Sequence, residues 1–286
     1  MNILDDLKLQ YKLGGTAMRV IYWNIACFLI SLVFYNFSSG GFAFPDWLAL
    51  SSDPQVFLFK PWTFLTYAFF HDGFLHLFFN MMVLNFASTL FLTYFTQKQF
   101  LGLYILSAIF AGVAFALTFY FLDISAPIVG ASAAIMAILV AATTYQPLMN
   151  VRLMFLGNVK LWHITAVILV LDLMQFRLAN SGGHISHLAG ALFGFIYIKL
   201  LQNGTDLSII ITKIIDFFVN LFQKSPSTPF TKVHKNYQKP TQKVTSRIVT
   251  KDKTQQQIDE ILDKISKSGY DCLTKEEKEF LFKAGK

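Results

Sequence analysis

Charge is what this sequence has least of. Only 14% of its 286 residues are Asp, Glu, Lys or Arg, where a soluble domain carries about 25%. Hydrophobic residues make up 54%. A chain this apolar cannot cover a globule with polar surface, which excludes the disordered, secreted disulfide-rich and ordinary cytosolic classes. The shortage is also local. No charged side chain occurs between Asp72 and Lys98, and only Asp123 lies between Lys98 and Arg152. Uncharged apolar runs of about 18 or more residues read as membrane spans. Cysteine is scarce too. Cys27 falls in such a run and Cys272 in the tail, too few and too far apart for a disulfide framework.

The charge that is present sits unevenly. Residues 1–205 carry nine Lys/Arg and seven Asp/Glu, and residues 206–286 carry fifteen and ten. Most of the net +7 therefore follows the last apolar run. Attraction to anionic lipid is the simplest reading of such a tail. No recognisable nucleic-acid module accompanies it, and no nucleic-acid partner is expected.

Hydropathy predicts an all-α membrane protein with six spans, near 20–38, 74–96, 100–122, 130–147, 159–177 and 184–202. The fourth is shorter than the roughly 20 residues of a full crossing. It begins abruptly at Gly130, after Pro127, as a helix starting inside the protein would. With the N-terminus inside, Lys8, Lys12, Arg19, Lys98, Arg152, Lys160 and the tail lie on the inner side, and only Lys60 and Arg177 on the outer. Both termini are predicted cytoplasmic on that count. The first span lacks a convincing cleavage site, so no removed signal peptide is expected. The first outer loop, 39–73, carries Trp47, Phe57, Phe59, Trp62 and Tyr67, rings suited to the membrane interface. The organisation expected is a membrane core over 1–205, an interfacial amphipathic helix over 206–223, a flexible basic linker over 224–253 and a small helical hairpin over 254–286. In the hairpin, Thr274 and Glu277 have capping-box spacing.

Several polar side chains fall where a membrane helix should have none: His76 and Asn80 in span two, Ser132 in span four, His184 and His187 in span six. Such residues are costly and usually functional. Each alone has a plainer explanation as a backbone hydrogen bonder, an interfacial ring or helix–helix glue. Together they share a depth. Spans two, four and six run from outside to inside. His76, Ser132 and His187 fall near the first turn of each, with Asn80 one turn deeper, as a shared site requires. Serine needs a base within hydrogen-bond reach, and imidazole is the usual base at neutral pH. Ser132 opens its helix, where free N–H groups favour negative charge, and His76 and Asn80 can donate to an oxyanion. No acidic residue is in place to complete a triad. Asp172, near the outer end of span five, is the nearest candidate; an orienting role is weighed for it, but a helix-end or packing role is favoured. Ala133, Ala137 and Ala141 on span four and Gly190 and Gly194 on span six form small-residue faces that let two helices approach closely.

These residues, over about 15–202, resemble the rhomboid intramembrane serine proteases. The His-x4-His-x3-Asn pattern of that family is His71, His76 and Asn80 here. Its Gly-x-Ser-Gly is Gly130-Ala131-Ser132-Ala133, its His-x2-Gly-x3-Gly is His187, Gly190 and Gly194, and its loop Trp is Trp62. The resemblance implies a six-helix rhomboid-like bundle with Ser132 as nucleophile and His187 as general base, a dyad. His76, Asn80 and the Ser132 N–H would form the oxyanion hole, and His71 would help hold the first loop. The implied reaction is hydrolysis of peptide bonds in or beside transmembrane segments, with single-span or multi-span membrane proteins as substrates in a lipid bilayer. No cofactor or metal is implied, and the oligomeric state stays open. The active site would open to the outer face of the cell membrane. The departures are Ala133 for Gly, Thr63 for Arg after Trp62, and Met136 for an aromatic one turn after the serine.

The main alternative is an inactive rhomboid-like protein that binds or traffics membrane proteins, against which Ser132 and His187 both stand. His184 is a rival base only if the Gly190/Gly194 register misleads. A metal or haem protein using His71, His76, His184 and His187 is a third class, with no carboxylate or cysteine at a matching position. A transporter would need charged groups or broken helices on several spans.

Overall fold

Apolar segments with no water to bond can satisfy their N–H and C=O groups only within helices or closed barrels, and helices dominate this chain. The computed structural model describes residues 2–36, 44–154, 157–175, 181–222 and 253–284. It divides the chain into two units, Met1–Pro226 and Ser227–Lys286.

In the first unit, besides two one-turn helices in the first loop (Pro54–Phe57 and Thr63–Thr66), the described helices are α1 (Ile3–Leu13), α2 (Gly15–Ser31, continued by a π-helical turn Leu32–Asn36), α3 (Phe74–Leu92), α4 (Gln97–Phe121), α5 (Ser132–Tyr145), α6 (Leu161–Gln175), α7 (Ser181–Gln202) and α8 (Ser208–Phe222). Four stretches among the described residues are long and apolar enough to cross a membrane: Gly15–Phe34, Phe74–Leu92, Gln97–Phe121 and Gly182–Gln202. The other two predicted spans are shorter helices. α5 has 14 residues and α6 has 15, only about 21–23 Å of helix against a hydrocarbon core of about 30 Å. A short α5 was expected. α6 begins two residues after the start of its predicted span because Val159 and Lys160 belong to a β-hairpin, Asn150–Leu153 paired with Gly157–Lys160, and residues 176–180 lie outside the described residues. Arg177, counted on the outer side, lies outside the described residues, as do 39–43 of the first loop.

The described part of that loop is stitched to the segment leading into α5. Leu50–Ser51 pairs antiparallel with Pro127–Ile128. Ser52 Oγ donates to the Ile124 carbonyl at 2.9 Å and accepts from the Ala126 N–H at 3.0 Å. Two fully buried tyrosines clip loop and α4 together. Tyr67 donates to the Ala108 carbonyl at 2.8 Å, and Tyr104 donates to the Ala68 carbonyl at 3.0 Å. Buried hydroxyls like these must find partners, so the bonds fix the loop's register. The Gly130 N–H then bonds the Tyr67 carbonyl at 3.0 Å, two residues before Ser132.

α5 is the buried centre of the unit: Ala133 through Leu139, Ala141 and Ala142 are all enclosed. α7 lies against it at backbone distance. A Cβ added to Gly190 would overlap the Ala133 carbonyl oxygen, and one added to Gly194 would overlap that of Ala137. Between α7 and α8, Asp206 accepts from Gln99 Nε2 (3.1 Å), Tyr197 OH (3.3 Å), Ser208 N–H (2.8 Å) and Ser208 Oγ (2.6 Å). Burial alone would raise its carboxyl. The Ser208 and Gln99 bonds outweigh that and hold it below the ordinary value.

The second unit is a pair of helices, α9 (Lys253–Ser268) and α10 (Lys275–Ala284), joined through the turn Tyr270–Cys272. The Thr274 N–H bonds Glu277 Oε2 at 2.9 Å and the Glu277 N–H bonds Thr274 Oγ1 at 3.3 Å, a reciprocal helix cap. The predicted linker lies outside the described residues up to 252.

Candidate active site

Ser132 is the first helical residue of α5, and His187 sits in the second turn of α7. The close approach of these helices sets their side chains together, with Ser132 Oγ 2.6 Å from His187 Nε2. The other ring nitrogen, Nδ1, is 2.6 Å from Asp172 Oδ1 on α6, and His184 Nδ1 is 2.7 Å from the same oxygen. The helix-end or packing role expected for Asp172 is therefore corrected: its carboxylate faces the two histidines. Span hydropathy gives no rotation for α6, so the facing side was hidden. The signal that could have found it is an acidic residue inside an apolar helix.

On the opposite wall, Gly130 has φ of 137°, a conformation that favours glycine. A Cβ there would stand 3.1 Å from His76 Nε2 and 3.5 Å from Ser132 Oγ, so both atoms look into the space that glycine leaves. His76 Nδ1 bonds Asp72 Oδ1 at 2.5 Å, and this bond chiefly holds the Asp72 carboxyl below its ordinary value. Asn80 Nδ2 donates to the His76 carbonyl at 2.9 Å. His71 lies behind, its ring 5.0 Å from that of His76, buried and with neither nitrogen hydrogen-bonded. Burial first, and His76 second, push its imidazole down from 6.5 to about 3.

A cavity of about 520 Å³ runs between the walls, lined by His76, Asn80, Ser132, Met136, Asp172, His184, His187 and apolar side chains. Trp62 is outside it, donating from Nε1 to the Trp47 carbonyl at 2.8 Å and so closing the first loop on itself. Asp172, His184 and His187 offer ligand-type atoms within 4.8 Å of one another, so a carboxylate does accompany two of the four histidines weighed for a metal. His71 and His76 are not in the group. Ligands round a tetrahedral zinc stand roughly 3.3 Å apart. The 2.6 and 2.7 Å separations here are those of hydrogen bonds.

Residues 59–203, half of the chain, match the family model of the rhomboid domain. The chain belongs to the rhomboid family. In this rhomboid, Ser132, His187, His76 and Asn80 line one cavity, Gly130 borders it, and Gly190 and Gly194 seat α7 on α5. At the departures, Ala133 is buried against Gly190. Thr63 is buried and donates to the Lys60 carbonyl at 2.7 Å, an anchor within the loop where the family has a cation. Residues 249–283 match a family of unknown function (DUF6576). No curated protein matches the chain in sequence.

Proposed function

We propose that this rhomboid is an intramembrane serine endopeptidase. The observation that carries the reading is the 2.6 Å bond between Ser132 Oγ and His187 Nε2 beside a cavity. As Oγ bonds to the scissile carbonyl carbon, its proton passes to His187 Nε2 and later to the leaving amine. Negative charge on the former carbonyl oxygen is met by the Ser132 N–H at the start of α5, where the helix dipole is favourable, and by His76 and Asn80. With Nδ1 bonded to Asp72, the His76 ring donates from Nε2 only when it carries both protons. A substrate helix hides its carbonyls in its own hydrogen bonds, so it must unwind beside the cavity before attack.

In this reading the four long helices and the shorter α5 and α6 make six crossings, with both termini in the cytoplasm and the cavity open to the outer face. Residues 1–205 form the protease core. α8 lies at the inner interface, 224–253 is a basic linker, and the helical pair beyond it is a cytoplasmic appendage. The substrates are single-span or multi-span membrane proteins.

The test is cleavage of a single-span reporter with small residues near its outer end, by protein reconstituted in lipid with chelator present. Intact protein is expected to cleave it, and Ser132→Ala and His187→Ala to lose about 10³-fold or more. Retained cleavage in either variant would remove that residue from the mechanism. Failure of the intact protein both to cleave and to react with a fluorophosphonate at Ser132 would favour the inactive, membrane-protein-binding alternative.

A further inference from the structure

We propose that Asp172 is the positioning residue of this site, its Oδ1 shared between His187 and His184 so that His187 presents Nε2 to Ser132 as a free acceptor. The proposal rests on the reading of Ser132 and His187 as nucleophile and base. Asp172 is only 8% exposed and sits in an apolar helix, a costly place for a carboxylate unless its partners repay the desolvation. Its partners are two ring nitrogens, at 2.6 and 2.7 Å, both on Oδ1, and its buried Oδ2 has no hydrogen-bond partner. A packing role accounts for neither contact.

The geometry fixes the protons. An ionised carboxylate only accepts, so each Nδ1 must carry a hydrogen. In neutral His187 that leaves Nε2 bare, facing Ser132 Oγ at 2.6 Å, the tautomer a general base needs. When Nε2 takes the serine proton, Asp172 faces the resulting imidazolium and stabilises it without taking a proton itself. His184 is the clamp. It lies one turn before His187 with its ring at 87° to it, and its bond keeps Oδ1 from rotating away. Around His187 the titratable groups are Asp172 on α6, His184 on α7, and His76 across the cavity on α3, itself bonded to Asp72. No Lys or Arg lines the cavity among the described residues.

The experiment is the rate of fluorophosphonate labelling at Ser132 in the full-length protein in lipid, followed from about pH 5 to 9. Asp172→Asn is expected to slow labelling about 10²–10⁴-fold, as loss of an orienting carboxylate does in serine proteases. It is also expected to move the acid-side midpoint of the rate down, because the negative charge beside the imidazolium is gone. Asp172→Glu should recover part of the rate and keep the midpoint. A folded Asp172→Asn labelled within about twofold of wild type, at an unmoved midpoint, would overturn the proposal. Should Asp172→Asn not fold, His184→Ala decides: with the carboxylate kept, the rate should fall about tenfold without a downward midpoint. A downward move there would overturn the assignment. A wild-type rate that depends on chelator would also overturn it, by making the group a metal site. Absence of labelling in wild type would instead refute the underlying reading of Ser132 and His187, a result visible before any Asp172 variant is compared.

Discussion

Replacing Gly190 with alanine tests whether the α5–α7 contact sets the serine–histidine distance. The added Cβ would stand 2.8 Å from the Ala133 carbonyl carbon and 3.2 Å from its Cα, besides overlapping the carbonyl oxygen. Ordinary carbon contacts are about 3.5–4.0 Å, so α7 must retreat by roughly 0.7 Å or more at this level. These atoms are backbone and cannot swing aside. Gly190 is one turn from His187, so the retreat passes almost undiminished to the ring. The 2.6 Å bond opens to about 3.3 Å, beyond the useful range for an O–H donor. A misplacement near 1 Å can cost about 10²-fold, so labelling of Ser132 should slow about 10- to 100-fold. Overpacking should also destabilise the protein by about 1–3 kcal/mol. Gly194→Ala meets the same obstacle at Ala137 but two turns from His187. It should destabilise as much and slow labelling less. Rates measured on folded protein, with melting followed in parallel, separate the two effects. Gly190→Ala labelling at the wild-type rate would refute the reasoning.

His71, whose imidazole is held near 3 instead of 6.5 by burial, binds fewer protons folded than unfolded between those values. Stability should therefore fall as pH is lowered from about 6.5 toward 3. His71→Phe should flatten that slope in melting temperature against pH, and an unchanged slope would contradict the assignment. Asn80→Ala should lower reporter cleavage about 10²–10³-fold, the usual loss of one oxyanion donor. Melting should change little, since among the described residues the amide donates within its own helix, and unchanged turnover would remove Asn80 from the site. Truncation after Gln223 should leave basal cleavage intact, because the rhomboid match and every residue lining the cavity lie before it. Loss of cleavage in a folded truncation would give the tail a part in catalysis.

The helices were legible because their signal is length and apolarity, both printed in the sequence. Phe74–Leu92 and Gln97–Phe121 begin and end within a few residues of the hydropathy reading. The loop was legible only as apolar and aromatic. Its pairing of Leu50 with Ile128 joins residues far apart in sequence, and no local pattern carries that. The hairpin before α6 was not legible, because hydropathy registers apolar residues whether they lie in helix or strand. His76, Ser132 and His187 stood out as polar groups at one depth. Asp172 was legible only as an acid near a span end, because its partners depended on the rotation of α6 about its axis. That rotation follows from packing, which the residue pattern of a helix apolar on all sides does not encode.

Ser132 is proposed as a nucleophile activated by His187. This activation is tested most directly by treating the lipid-reconstituted full chain with a fluorophosphonate and locating the adduct by peptide mass spectrometry. The account predicts one adduct, on Ser132, reduced about 10³-fold in His187→Ala. An unlabelled Ser132 in folded protein, or labelling indifferent to His187, would contradict it.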